Sequence, residues 1–264
     1  MGTGDLVQAL RDFAVAESLA PGAVEPSLLE AKALHLFGKK KEASAVFAKV
    51  HDRSAEEDAI AVAIAWIYDS LGEEEETFRW IGRVGDAAVR ETEKILMCRD
   101  FGRIEEAIEA GRSAIAADPM NVLAYDRLGF VLHHELRLAE ARQVHEQGLA
   151  VAPDSWSLNL NAGWTAVKDG RVREAEAYLE KAIRLVPGNP AMEYSILANC
   201  ALCRGDWAKM DALIAKAREL DPRDGSIENR IALRYMQAGR LAEARSALDR
   251  AIELVPDDEE SRPT

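Results

Sequence analysis

The sequence predicts an all-α protein built as an α-solenoid of antiparallel helix pairs, and three observations carry that prediction. The hexapeptide GRIEEA at 102–107 returns as GRVREA at 170–175 and as GRLAEA at 239–244. Its glycine recurs at Gly4, Gly38, Gly72, Gly102, Gly170, Gly205 and Gly239, with Leu136 in LRLAEA where one is missing. The steps are 34, 34, 30, 34, 34, 35 and 34 residues, the length of two helices and two short turns. Helix formers such as Ala, Leu, Glu and Arg dominate, while aromatics make up 6%.

Each element of the repeat follows from a row of residues counted from that glycine. The glycine closes the first helix in a left-handed cap, and the polar residues after it start the second. Five residues beyond stand Ala9, Ala43, Thr77, Ala107, Ala141, Ala175, Met210 and Ala244, mostly small enough for close helix approach. Nine beyond stand Phe13, Phe47, Ile81, Gly111, His145, Leu179, Ile214 and Leu248, usually a bulky filler. Twelve beyond stand Ala16, Val50, Val84, Ala114, Gly148, Ala182, Ala217 and Ala251, and spacings of four and three put these rows on one helical stripe. Seventeen beyond, Pro21, Pro119, Pro153, Pro187, Pro222 and Pro256 end the second helix. Seven before lie Ala31, Ala65, Ile95, Gly129, Gly163, Ala198 and Ala232, the contact seam of the first helix. The irregular steps are assigned to loops: one extra residue near PGNPAM and a trimmed junction near VGDAAV. Helix pairs are predicted to begin near 24, 58, 88, 122, 156, 191 and 225. They follow a lone helix at 5–20 and form one solenoid over 1–256, with an acidic, disordered tail at 257–264.

A small seam residue, turn glycine, alanine, bulky residue, alanine and proline at these offsets resemble the tetratricopeptide repeat (TPR). The pattern is densest over 88–256 and sparser over 24–87, where the terminal prolines are absent. Pentatricopeptide repeats have a similar length but read RNA, against which the net charge and the proline row argue; HEAT and armadillo units run longer, at about 40 to 47 residues. The resemblance implies a right-handed superhelix whose concave wall is made by the first helices, and hence a groove for a peptide or protein segment.

In that groove the row six before the glycine reads Lys32, Trp66, Leu96, Phe130, Trp164, Asn199 and Leu233, with four successive apolar or aromatic members. Aromatic anchors in a desolvated groove are typical interface hot spots, each worth about 2 kcal/mol or more; packing against a neighbouring repeat is the alternative use of the same rings. The neighbouring rows add Arg99, Asp126, Arg127, His133 and Asn161, and an arginine beside an aromatic ledge suits a carboxylate-bearing peptide. The candidate groove is therefore Trp66, Leu96, Arg99, Asp126, Arg127, Phe130, His133, Asn161 and Trp164. Two known uses of the family do not carry over. The carboxylate-clamp slots hold Thr92, Leu96, Arg127, Ser157 and Asn161, out of register with the clamp. The asparagine ladder of the O-linked N-acetylglucosamine transferase is matched by Asn161 alone.

Other features point away from catalysis. CALC at 200–203 spells Cys-x-x-Cys but falls mid-helix, and Cys98 reads as a small hydrophobe. His133 and His134 point about 100° apart on a helix, unsuited to one metal. EEEE at 73–76 suits the first turn of a helix. No cofactor, metal or catalytic set is implied. With 46 acidic against 33 basic residues, a net charge of −13 disfavours nucleic acid and anionic membrane as partners. Three cysteines without a disulfide framework, no leader-like N-terminus and no long apolar run favour a cytoplasmic protein.

The resulting expectation is a non-enzymatic interaction scaffold. The runner-up is a substrate-recruiting region of a larger enzyme or of a secretion or assembly system, and a structural spacer comes third. Leu6, Leu10 and Phe13 near one end, and Leu241, Leu248 and Ile252 near the other, predict that an uncapped end docks on a partner, a second copy or a further domain.

Overall fold

The computed structural model describes residues 23–53 and 57–254, together with 8, 10–13, 15 and 16. Among the described residues there are fourteen delimited helices and no strand. They are α1 (Glu25–Leu36), α2 (Lys40–Arg53), α3 (Glu57–Ser70), α4 (Glu74–Ile81), α5 (Ala87–Asp100), α6 (Ile104–Ala117) and α7 (Val122–His134). There follow α8 (Leu138–Val151), α9 (Trp156–Lys168), α10 (Val172–Leu185), α11 (Ala191–Cys203), α12 (Trp207–Leu220), α13 (Gly225–Gln237) and α14 (Leu241–Leu254). The described residues of the expected lone helix, 8, 10–13, 15 and 16, are helical; the rest of that stretch and the expected tail lie outside the described residues.

Two compact units divide the chain, 1–131 and 132–264, with the boundary inside α7. In the first unit α1 packs on α2, α3 on α4 and α5 on α6. In the second, α9 packs on both α8 and α10, α11 on α12 and α13 on α14. The first helices begin at 25, 57, 87, 122, 156, 191 and 225, within one residue of the positions read from the repeat. The chain is thus an all-α solenoid of helix pairs.

The glycine row does what its position requires. Gly38, Gly72, Gly102, Gly170, Gly205 and Gly239 all have φ between 70° and 79°, and Leu136 takes the same conformation at φ 59°. The chain closes each helix there with paired backbone bonds: Arg103 N–H donates to Cys98 O (2.7 Å) and Gly102 N–H to Arg99 O (2.9 Å). At several starts a side chain caps free amides, as Asp86 does for Val89 (3.1 Å) and Asp206 for Lys209 (3.0 Å).

The counted rows form the cores. The seam residues seven before the glycine are all buried, as are the described residues five beyond. Phe47, Tyr68, Trp80, Ile64 and Ile81 centre the first unit's core. Ala166, Leu179, Ala182 and Ile196 form one cluster of the second, and Ile214, Ile231 and Ala232 another. Burying such a side chain contributes about 1.5–3 kcal/mol. Helix approach is closest where the seam residue is glycine: a Cβ on Gly163 would lie 2.7 Å from Leu179 Cγ. In the nine-beyond row Leu248 is the exception, 40% exposed, and Leu241 and Ile252 on the same helix are exposed too.

Of the two irregular steps, the longer one falls in the loop between α10 and α11, as read. The shorter one does not come out of a loop. It shortens α4 to 8 residues where the other second helices have 14. Asp58 on α3 holds the early exit by accepting the N–H groups of Gly85 (2.8 Å) and Asp86 (2.9 Å), so a side-chain clamp replaces two turns of helix.

Candidate functional site

In the first unit Trp66, Leu96 and Phe130 are half-buried on α3, α5 and α7, and Glu93 on α5 organises the groups around Trp66. Trp66 Nε1 donates to Glu93 Oε2 at 2.8 Å, and Arg127 places NH1 2.8 Å from the same oxygen and 3.0 Å from the Thr92 carbonyl. The Arg127 guanidinium also lies 5.9 Å from the Trp66 ring centroid. Glu93 and Arg127 are 13% and 15% exposed, so this is a largely desolvated ion pair with its hydrogen bonds made. Arg127 is therefore already committed to a carboxylate. Arg99, 5.3 Å from the Phe130 centroid, is likewise paired, with Nε 2.8 Å from Asp100 Oδ1. Burial, and then the charge of Asp100, push Asp69 up to about 6, and its buried Oδ1 has no hydrogen-bond partner. Asp126 is half-buried.

In the second unit the expected His133 is not on an open wall. It is 2% exposed because Thr165 and His145 pack against it, with Nδ1 3.1 Å from Thr165 Oγ1. His145 Nδ1 lies 3.5 Å from the same hydroxyl. Burial pushes His133 down to about 4 and His145 down to about 3, and neither Nε2 has a partner. Both imidazoles are thus neutral core groups at pH 7. Trp164 is half-buried, with His133 4.7 Å, His134 5.5 Å and the Arg230 guanidinium 5.6 Å from its ring. Asn161 is half-buried one turn earlier on α9.

Arg230 stands nine before Gly239, and its contact with Trp164 skips a whole helix pair, which spacing along the sequence does not reveal. Arg234, one turn on, was not singled out. It is 6% exposed and makes no salt bridge among the described residues; NH1 reaches Gln237 Oε1 at 3.1 Å, and its buried Nε has no acceptor. Leu233 and Met236 beside it are 46% and 52% exposed. The signal for Arg234 was available: five before the glycine the other repeats carry Ala33, Ile67, Met97, Val131, Thr165 and Cys200.

The cysteines are free, Cys98 and Cys200 buried and Cys203 exposed, and burial pushes Cys200 up to about 12, leaving it a thiol. Among the described residues no three His, Cys, Asp or Glu side chains converge as metal ligands, and no helix is long and apolar enough to cross a membrane. The geometry offers aromatic, aliphatic and guanidinium surface suited to binding.

Residues 135–190 and 196–259 match the family model for the tetratricopeptide repeat. A curated TPR repeat-containing protein of Pseudomonas aeruginosa is 29% identical over 89 residues, 33% of this chain and 15% of that protein. Among solved structures, the APC/C hetero-tetramer Cut9–Hcn1 gives a TM-score of 0.63 at 17% identity, covering 96% of this chain and 50% of that one. A tetratricopeptide repeat protein from Parabacteroides merdae gives 0.64 at 14% identity, covering 90% and 95%. A TPR protein of Thermus thermophilus gives 0.55 at 21% identity, covering 70% and 99%. This chain spans about 15% of the curated relative and half of the Cut9–Hcn1 chain. At such identities the solved structures share the fold. The glycine-anchored helix pairs agree with them, and the two matched stretches, 135–190 and 196–259, are tetratricopeptide repeats.

Proposed function

We propose that the protein is a non-enzymatic scaffold that binds a peptide or protein segment through the faces of its first helices. The observation that carries this reading is the row six before the glycine. From Trp66 through Leu96, Phe130 and Trp164 to Leu233 its members stay partly open, while the row seven before the glycine is closed. Large apolar groups left open on a regular stripe are the raw material of interface hot spots. The three free thiols fit a reducing compartment such as the cytoplasm. A second reading, a recruiting segment of a larger assembly, is favoured by the small share of the curated relative that the match covers.

Pull-down from native lysate, with a Trp66→Ala/Phe130→Ala/Trp164→Ala variant as control, tests the reading. Loss of the captured partner with helical circular dichroism retained is the expected result. Unchanged capture by a folded triple variant removes these faces from partner binding.

A further inference from the structure

Arg234 is a cation in a place built for an apolar side chain. At the equivalent position the other helix pairs use Ala, Ile, Met, Val, Thr or Cys, and α13 packs that side against α11. Burying a guanidinium without a counter-charge is costly, because the protein interior replaces the water that solvated it. Other partly buried arginines among the described residues have carboxylate partners. Arg127 has Glu93, Arg218 takes Glu228 through two bonds of 2.8 and 2.7 Å, and Arg240 holds Asp211 at 2.7 Å.

Around Arg234 the charges that act are those of Arg230 and of the Cys200 and Cys203 thiols, and no carboxylate is among them. A second guanidinium, Arg230, stands one turn away over Trp164 and also makes no salt bridge among the described residues. Asp224, at the N-cap of α13, lies within the electrostatic reach of Arg230 but makes no salt bridge with it, and the two guanidiniums stand beside two exposed apolar side chains, Leu233 and Met236.

We propose that Arg230 and Arg234 form a carboxylate-binding site that takes a Glu or Asp side chain from a docked polypeptide, whose flanking apolar residues lie on Leu233, Met236 and Trp164. The proposal rests on the scaffold reading and names its partner's chemistry: an acidic, apolar-flanked segment. A carboxylate brought to this side of α13 would supply the counter-charge that Arg234 lacks, with Arg230 as a second guanidinium one turn away. The surrounding negative field opposes nucleic acid and anionic lipid, which bring many charges at once.

The test titrates the full chain with three probes: a blocked peptide of alternating leucine and glutamate, the same peptide with glutamine, and inorganic phosphate. Calorimetry reads affinity, and the Nε–H resonance that disappears in Arg234→Met reports the change at Arg234. The glutamate peptide is expected to bind at least about tenfold more tightly than the glutamine peptide, as for a charge-assisted hydrogen bond, and to shift that resonance. Arg234→Met, which keeps the volume and the fold, is expected to abolish the preference, and Arg230→Gln to reduce it.

Equal binding of the two peptides overturns the carboxylate site while leaving the scaffold reading intact. A preference that survives in Arg234→Met, or binding by neither peptide, overturns the site as well, and the pull-down above then judges the scaffold separately. Tighter binding of phosphate alone than of the glutamate peptide replaces the proposal with a free-anion site.

Discussion

The two units use the same pairing of tryptophan and arginine in opposite ways. In the first, Trp66 and Arg127 converge on Glu93, so the indole N–H and the guanidinium are both satisfied inside the protein. In the second, Trp164 meets Arg230 without a carboxylate, and Arg234 behind it is buried with its Nε unpaired. An aromatic and an arginine on one stripe therefore do not identify a binding site by themselves. What matters is whether the counter-charge comes from within the repeat. The first arrangement satisfies its polar groups within the fold, and in the second the Nε of Arg234 has no such partner.

The largest effect is expected from removing that internal counter-charge. Glu93→Ala leaves Arg127 buried and unpaired and strips the acceptor from Trp66. It should destabilise the first unit by about 3 kcal/mol in urea unfolding. The double variant Glu93→Leu/Arg127→Met should recover most of the loss, since the penalty comes from an orphaned charge. A small effect of Glu93→Ala would erase the contrast between the units.

Acidification should move the units in opposite directions. His133 and His145 have folded-state pKa values below the unfolded value of about 6.5, so their stabilising contribution is complete above that pH and is lost as pH falls toward 4. Lys168 and His134 act on His133, and His133 on His145, each opposing a new positive charge. Between pH 7 and 5 the second unit should lose about 2 kcal/mol for each histidine, about 3 kcal/mol together once screening is allowed for. Asp69 has the reverse sign: its pKa of about 6 lies above the unfolded value, so ionisation as pH rises costs stability and acid restores it. The first unit should gain at most about 1 kcal/mol over the same range. Hydrogen exchange of α9 amides should accelerate at pH 5 relative to pH 7 after correction for intrinsic rates, and that of α3 amides should slow. Parallel changes would refute the assignment.

Arg234→Met should stabilise the second unit by about 1–2 kcal/mol, because it removes a buried charge and supplies an apolar side chain of similar length. Thermal unfolding of the variant reads this. A loss of stability would mean that Arg234 already has its compensation within the fold.

These contrasts differ in how far they could be read from sequence. The helix starts, the turn row and the buried seam were legible because they depend on residues a fixed count from one glycine, and the 34-residue period repeats that count. Glu93 and Arg127 were also within reach: both stand nine before the turn in successive repeats, so opposite charges there are stacked neighbours. The burial of His133 was not legible, because it depends on Thr165 and His145, which come from two other helices. Nor was the shortening of α4, which hangs on the Asp58 clamp to amides 27 and 28 residues away.

The smallest effect concerns the turn row, where the second unit has the one departure. Its first turn carries Leu136 at φ 59°, while the first unit's turns have glycine at Gly38, Gly72 and Gly102. The left-handed conformation costs a side-chain-bearing residue about 1–2 kcal/mol. Leu136 is 66% exposed, so little burial offsets that cost. The backbone bonds of the cap, Arg137 N–H to Leu132 O (2.9 Å) and Leu136 N–H to His133 O (3.2 Å), do not need its side chain. Leu136→Gly should therefore raise stability by up to about 1 kcal/mol, the relief of strain exceeding the added freedom of the unfolded chain. Equilibrium unfolding in urea measures it, and hydrogen exchange should place the gain at the C-terminal turn of α7. A destabilised variant would instead show that the leucine side chain holds the turn through contacts that outweigh its backbone strain.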